Sequence, residues 1–157
     1  MDEIFYWASQ FRSGIENAKK NGFLSLCPFY DFPNACCGET PELLAQYLME
    51  NFDENCKYKY VYGVYRYDDF DNIFGHAWLE VDNSLIVDIT ADQRQFRNPK
   101  IFPQNAFVPC FAGVLSEFHE LFEIESRQCF EILKNRCLDD STKERYNTIV
   151  SQIKGGM

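Results

Sequence analysis

A chain of 157 residues with 46% apolar and 25% charged side chains has the make-up of one globular domain, residues 1–157, long enough to bury a sizeable core. Fifteen basic against 24 acidic residues leave a formal charge of −9, which disfavours nucleic acid and anionic membrane surfaces as partners. No run of eighteen apolar residues occurs, the opening MDEIFYWASQF lacks a basic-then-apolar leader, and Asp2 stands where myristoylation needs glycine, so a cytoplasmic protein without membrane attachment is expected.

In chain order, Ile4, Trp7, Ala8, Phe11, Ile15 and Ala18 recur every three or four residues, which predicts an amphipathic helix over 2–21 stopped by Asn21-Gly22. Residues 22–35 read as an extended loop rich in proline and aromatics. A second helix follows from Thr40, with Leu43, Leu44, Tyr47, Leu48 and Phe52 on its apolar stripe, and Pro41 is tolerated only in its first turn. The vicinal Cys36-Cys37 pair therefore stands at the head of a helix. The tyrosine-rich KYKYVYGVYRY, residues 57–67, predicts a strand with Tyr58, Tyr60, Tyr62 and Tyr65 on the sheet surface. A hairpin is predicted over 74–81 and 85–90, and an edge strand interrupted by prolines within 101–114. The last forty residues return to helical spacing near 115–137 and again near 140–153. These elements predict an α+β fold on a mainly antiparallel sheet, with helices and strands sharing one core.

Seven cysteines, an odd number without a secretory leader, predict reduced thiols: Cys27, Cys36, Cys37, Cys56, Cys110, Cys129 and Cys137. The paired spacings of a zinc site are missing, and neither metal nor cofactor is expected. Cys27, Cys56, Cys110, Cys129 and Cys137 read as small buried hydrophobes. The acidic DDFDN loop lacks the ligand spacing of a calcium loop and reads as solvated.

The hairpin carries the most geometric information. Ala77, Leu79 and Val81, then Leu85, Val87 and Ile89, are apolar and odd-numbered, so a shared buried face requires an odd-length turn, which Asp82-Asn83-Ser84 supplies. This register sets Val81 opposite Leu85 and His76 opposite Thr90. It collects His76, Trp78, Asp88 and Thr90 on the other face, as the floor of a site. Asp88 stands diagonally beside His76, where a carboxylate fixes the imidazole tautomer and favours its protonated form. Asp92 reads as the cap of the ADQRQF turn, and His119 as a solvated residue on a helix.

A thiol at a helix N-terminus beside an imidazolium becomes a thiolate able to attack a carbonyl carbon, and the first-turn N–H groups can hold the resulting oxyanion. The residues alone leave Cys36 and Cys37 as rival nucleophiles, with access beside Gly38 favouring Cys37. The segments FPNACCGETPELLAQYL and GHAWLEVDNSLIVDITADQ resemble those of small bacterial thiol enzymes in the papain-like and transglutaminase-like superfamily, over about a quarter of the chain. The resemblance implies Cys37 as nucleophile, His76 as base and Asp88 as orienting carboxylate, in a domain whose Cys-bearing helix packs on an antiparallel sheet. Pro41 departs from the pattern, where a serine is expected. The expected activity is hydrolysis or acyl transfer at an amide of a peptide or protein, with Trp78 and Cys36 beside the substrate. The competing readings are a catalytically silent binding module on the same scaffold and a redox sensor using Cys36-Cys37.

Overall fold

The computed structural model describes residues 1–24, 28–68, 72–103, 108–130 and 139–153. Helix α1 spans Asp2–Lys20 and buries Ile4, Ala8, Phe11, Ile15 and Ala18, the stripe set by its three-and-four spacing. Gly22 ends it in the left-handed region, φ 78°. There the Phe23 N–H donates to the Ala18 carbonyl at 2.9 Å and the Gly22 N–H to that of Lys19 at 3.1 Å, the paired bonds of a glycine C-cap. Helix α2 spans Thr40–Asn51 with Pro41 in its first turn, as expected. Helix α3 spans Asp140–Ser151, and the Asp139 carboxylate caps it by accepting the Thr142 N–H at 2.9 Å.

Among the described residues, five strands form one antiparallel sheet: β1 Tyr58–Arg66, β2 Ile73–Val81, β3 Leu85–Asp88, β4 Phe111–Gly113 and β5 Glu123–Cys129. Their spatial order is β4-β3-β2-β1-β5. The proline-flanked β4 is an edge, as its sequence predicts. The helix expected near 115–137 does not form over the residues described there. Instead a 3-10 turn at His119–Leu121 leads into β5, which pairs along β1. Glu123, Glu125 and Arg127 recur every second residue on this exposed strand, the charge pattern that protects a sheet edge, and the main-chain ladder offered by β1 overrides the helical spacing.

Both sheet faces are covered. The three helices bury Leu79, Val81, Val87 and Ile89 on the odd face, with Phe11, Leu43, Leu44 and Leu48. On the other face Val61 and Trp78 lie beneath Ala91, Phe96, Phe102, Phe118 and Phe122. The expected single core is thus two, divided by the sheet, and the even face of the hairpin is roofed rather than open. Gly63 makes this closeness possible, since a Cβ there would stand 2.8 Å from the Phe122 Cβ. The tyrosines also lie deeper than a surface reading predicts. Tyr58 is fully buried, its hydroxyl donating to the Asp53 carbonyl at 2.6 Å, while Tyr60, Tyr62 and Tyr65 are half-buried.

Arg12 fastens α1 to the segment after β3. It forms a two-pronged ion pair with Asp92, at 2.7 and 2.8 Å, and donates to the carbonyls of Ile89 and Pro109 at 2.7 Å each. Asp92 is therefore the buried partner of a cation and not the cap of its own turn. Removing one member of such a pair strands the other charge in the interior, at a cost of about 3–5 kcal/mol. Asp92→Ala is expected to lower the unfolding free energy by about that amount in urea titration, and a loss below about 1 kcal/mol would refute this role for the pair.

Candidate active site

The hairpin turn has Asp82 and Asn83 in the left-handed region, at φ 52° and 64°, a conformation their short polar side chains tolerate. It sets the predicted register: Val81 faces Leu85, Glu80 faces Ile86 and Leu79 faces Val87. The ladder stops there, and His76 does not pair with Thr90. Strand β3 ends at Asp88, where Thr90 folds back and donates its N–H (2.8 Å) and hydroxyl (3.1 Å) to Asp88 Oδ1. Past Leu79 the β3-side edge of β2 is left without a strand among the described residues, and the Ala77 backbone N–H acts on the Cys37 sulfur.

Asp88 is 2% exposed and accepts two further donors on its other oxygen: His76 Nε2 at 2.6 Å and His119 Nε2 at 2.7 Å. These contacts hold its carboxyl far below the usual carboxylate range, although burial alone would raise it. His76 is fully buried, with the rings of Phe96, Phe118, Phe122 and Trp78 between 4.9 and 5.9 Å of its own. Burial disfavours the imidazolium, yet the charge and hydrogen bond of Asp88 outweigh it, with help from Cys37, and its pKa rises to about 9. With Nε2 committed to Asp88, the proton-accepting atom is Nδ1. It is buried without a hydrogen bond of full geometry and interacts with the Cys37 sulfur through a looser contact.

Burial pushes the Cys37 thiol up, but His76, the Ala77 N–H and the Gln93 side chain together pull it below its ordinary value. The result favours a thiolate–imidazolium pair. Gly38 is exposed, and a Cβ there would meet nothing within 4 Å, which leaves the approach to Cys37 open. Cys36 has the opposite fate. It is 1% exposed in the helix-side core, and its S–H donates to the Asn34 carbonyl at 3.1 Å. Ala35, in the left-handed region at φ 56°, makes the bend that precedes the two cysteines. The Cys36 carbonyl then accepts both the N–H and the hydroxyl of Thr40, starting α2. Trp78 is also 2% exposed, within the aromatic cluster, so neither Trp78 nor Cys36 presents a surface to a substrate as the sequence predicts.

Three residues at the site escape sequence reasoning. Gln93 is 1% exposed; its Oε1 accepts from Gln95 at 3.3 Å, and its Nε2 has no hydrogen bond of full geometry while acting on the Cys37 sulfur. The loop bearing it is tied to the cysteine loop by the Arg94 N–H, which donates to Asn34 Oδ1 at 2.8 Å. His119, expected on a solvated helix face, is 4% exposed in its 3-10 turn and anchored to Ser116. Arg12 steadies Ile89 and Asp92 from α1. Of these, only the polar run Asp92-Gln93-Arg94-Gln95 beside the hairpin offers a signal in the sequence.

His76, Asp88 and His119 bring three donor atoms within 4.8 Å of one another. At 2.6 and 2.7 Å, each imidazole nitrogen and Asp88 Oδ2 have a proton between them, and an ion held by the same atoms would have to displace both. The contacts at hand are those of a hydrogen-bond network centred on Asp88 Oδ2. Among the described cysteines, Cys36, Cys37, Cys56, Cys110 and Cys129 are thiols rather than disulfides. Cys110 is buried as expected, Cys56 is half-buried, and Cys129 is exposed on the edge strand, against expectation. Cys27 and Cys137 lie outside the described residues. Comparison of the chain with protein-family models, with curated proteins and with solved structures returns no match.

The electrostatics predict a reactivity order. At neutral pH iodoacetamide is expected to alkylate Cys37 ahead of Cys56, whose thiol is pushed up to about 11, and ahead of buried Cys110, also pushed up. His76→Ala should slow only the Cys37 reaction, and equal rates at all thiols by peptide mass mapping would rule out the ion pair. Stability gives a second reading. His76 holds its proton more tightly when folded, so its contribution is full below about pH 6.5 and is lost as pH rises toward about 9. Cys37, lowered from 9, has the opposite slope, its contribution fading as pH falls below that value. Cys37→Ser is therefore expected to lose stability in urea between pH 6.5 and 9 more steeply than the unaltered protein.

Proposed function

We propose that this protein is a cysteine hydrolase or acyl transferase of the papain-like and transglutaminase-like kind, acting on an amide through a thioester on Cys37. The observation that carries the reading is a lowered thiol at the head of α2 acting on His76, whose far nitrogen is bound to Asp88 at 2.6 Å. The arrangement of a cysteine in the turn leading into a helix that packs on an antiparallel sheet, with His and Asp on the adjacent strands β2 and β3, supports it.

In this reading the Cys37 thiolate attacks the amide carbon, and the carbonyl π electrons move onto oxygen. The Ala77 N–H and the Gln93 amide, which act on the resting sulfur, are the donors beside the carbon it attacks and receive the oxyanion. Collapse expels the amine, which takes the proton from His76 Nδ1 and leaves the thioester. Neutral His76 then removes a proton from water or from an amine acceptor, which attacks the thioester and restores the thiolate. Asp88 stays ionised throughout and stabilises the imidazolium it orients. Peptidase and deamidase both pass the acyl group to water and differ in the amide that is cleaved, whereas a transferase passes it to an amine. An acidic protein with reduced thiols fits a neutral or basic peptide or protein substrate in a cytoplasmic compartment.

Incubation with a panel of peptide and glutaminyl amides, followed by intact-mass detection of an acyl adduct on Cys37, tests the reading. Cys37→Ala is expected to abolish turnover with the fold retained by circular dichroism. Gln93→Ala is expected to lower kcat by about 10²–10³-fold while slowing Cys37 alkylation less than His76→Ala does, the mark of a donor used mainly in the transition state. Full turnover in Cys37→Ala would overturn the assignment, and an unreactive Cys37 would favour the binding module.

A further inference from the structure

The proposed chemistry uses one histidine, yet the buried carboxylate that orients it carries two. His119 Nε2 meets Asp88 Oδ2, the same oxygen that holds His76 Nε2, at 2.7 against 2.6 Å. The other edge of the His119 ring is fixed as well, since Ser116 Oγ lies 2.6 Å from Nδ1 and accepts the His119 backbone N–H at 3.2 Å. The Ser116 hydroxyl thus has its proton to give to Nδ1, which leaves the His119 proton on Nε2, pointing at Asp88. The ring is wedged between Trp78 at 5.0 Å, Phe118 at 5.0 Å and Phe111 at 5.6 Å.

We propose that His119 is a positioning residue: as a neutral donor it shares Asp88 with His76, so that the strength of the Asp88–His76 bond, and with it the readiness of His76 to release a proton, is set by a second imidazole. The active chain is then Ser116–His119–Asp88–His76–Cys37, and this inference rests on Cys37 and His76 acting as proposed above. A carboxylate buried with a single imidazole binds the imidazolium tightly and makes it a poor acid for the departing amine. A second, uncharged donor on the same oxygen draws off part of that charge without adding a proton that can leave.

The charged groups facing His119 agree with this role. Asp88 of β3 favours its cation, but burial and the positive charge on His76 of β2 outweigh that and keep it neutral. Glu117 and Glu120 of its own segment are exposed, where they line with Phe111, Leu115 and Ser116 a cleft of about 400 Å³ that reaches His119. Arg12 of α1 lies beyond Asp88, committed to Asp92. Only one of the two imidazoles around Asp88 is therefore charged.

Because the chain has only two histidines, imidazole ¹⁵N spectra of the whole protein resolve both. In the unaltered protein His119 is expected to be neutral, with its proton on Nε2, throughout the range from pH 6.5 upward in which His76 titrates near 9. His119→Phe keeps the aromatic packing and deletes the donor, and is expected to raise the His76 midpoint by about half a pH unit or more, near threefold in proton affinity. His119→Gln keeps an N–H at the position of Nε2 and is expected to restore the original midpoint. A packing role predicts the reverse ranking, with Phe tolerated and Gln damaging. An unmoved or lowered His76 midpoint in His119→Phe overturns the proposal. So does a charged or Nδ1-protonated His119 in the unaltered protein, a result that needs no variant to fold. Cys37 alkylation is scored separately: an unreactive Cys37 with the expected midpoints removes the acyl-transfer reading and leaves the shared carboxylate standing.

Discussion

The site depends on a single buried anion and the number of donors it holds. Asp88 has no exposed surface to speak of, and an ionised carboxylate in that setting survives only if its lone pairs are occupied. Thr90 supplies two donors to one oxygen, and His76 and His119 supply one each to the other. That charge draws His76 into its protonated form, which in turn draws the Cys37 thiol toward thiolate. Without the anion the imidazole would be one more ring in a phenylalanine cluster and the thiol one more small apolar side chain.

The sheet builds this arrangement by being incomplete. Strands β2 and β3 share only three facing pairs before β3 stops, and the missing pairs leave the Ala77 N–H available to the sulfur. A longer hairpin would have closed the space with its own ladder. The Arg12–Asp92 pair keeps the chain beyond β3 in place once it leaves the sheet, and the tie between Arg94 and Asn34 brings Gln93 beside the cysteine loop. Strands carry His76 and Asp88, the turn leading into α2 carries Cys37, and two short irregular segments aim them.

How much of this is legible beforehand depends on the range of the interaction. The parity of the hairpin, read from alternating apolar residues and a three-residue turn, predicts the register that sets Asp88 beside His76, because strand geometry is local and its period is two. The choice between Cys36 and Cys37 is not local in that way; it turns on the left-handed bend at Ala35 and on a core that only assembly supplies. His119 is misread because SEFHELFEIE has helical spacing, and only the ladder along β1 makes the following residues a strand. The roof over the even face comes from the remote Phe96, Phe102, Phe118 and Phe122, which no short window of sequence relates to His76.

The enclosure of His76 has an outcome of its own. Among the described residues, the His76 ring has no exposed surface, its faces meet phenylalanine rings, Nε2 meets Asp88, and the sulfur of Cys37 stands on the remaining flank, at Nδ1. In the proposed reaction the amide, the leaving amine and the transferred proton would meet on that one flank. An occupant on that side would shut the imidazole off from water for as long as it stays.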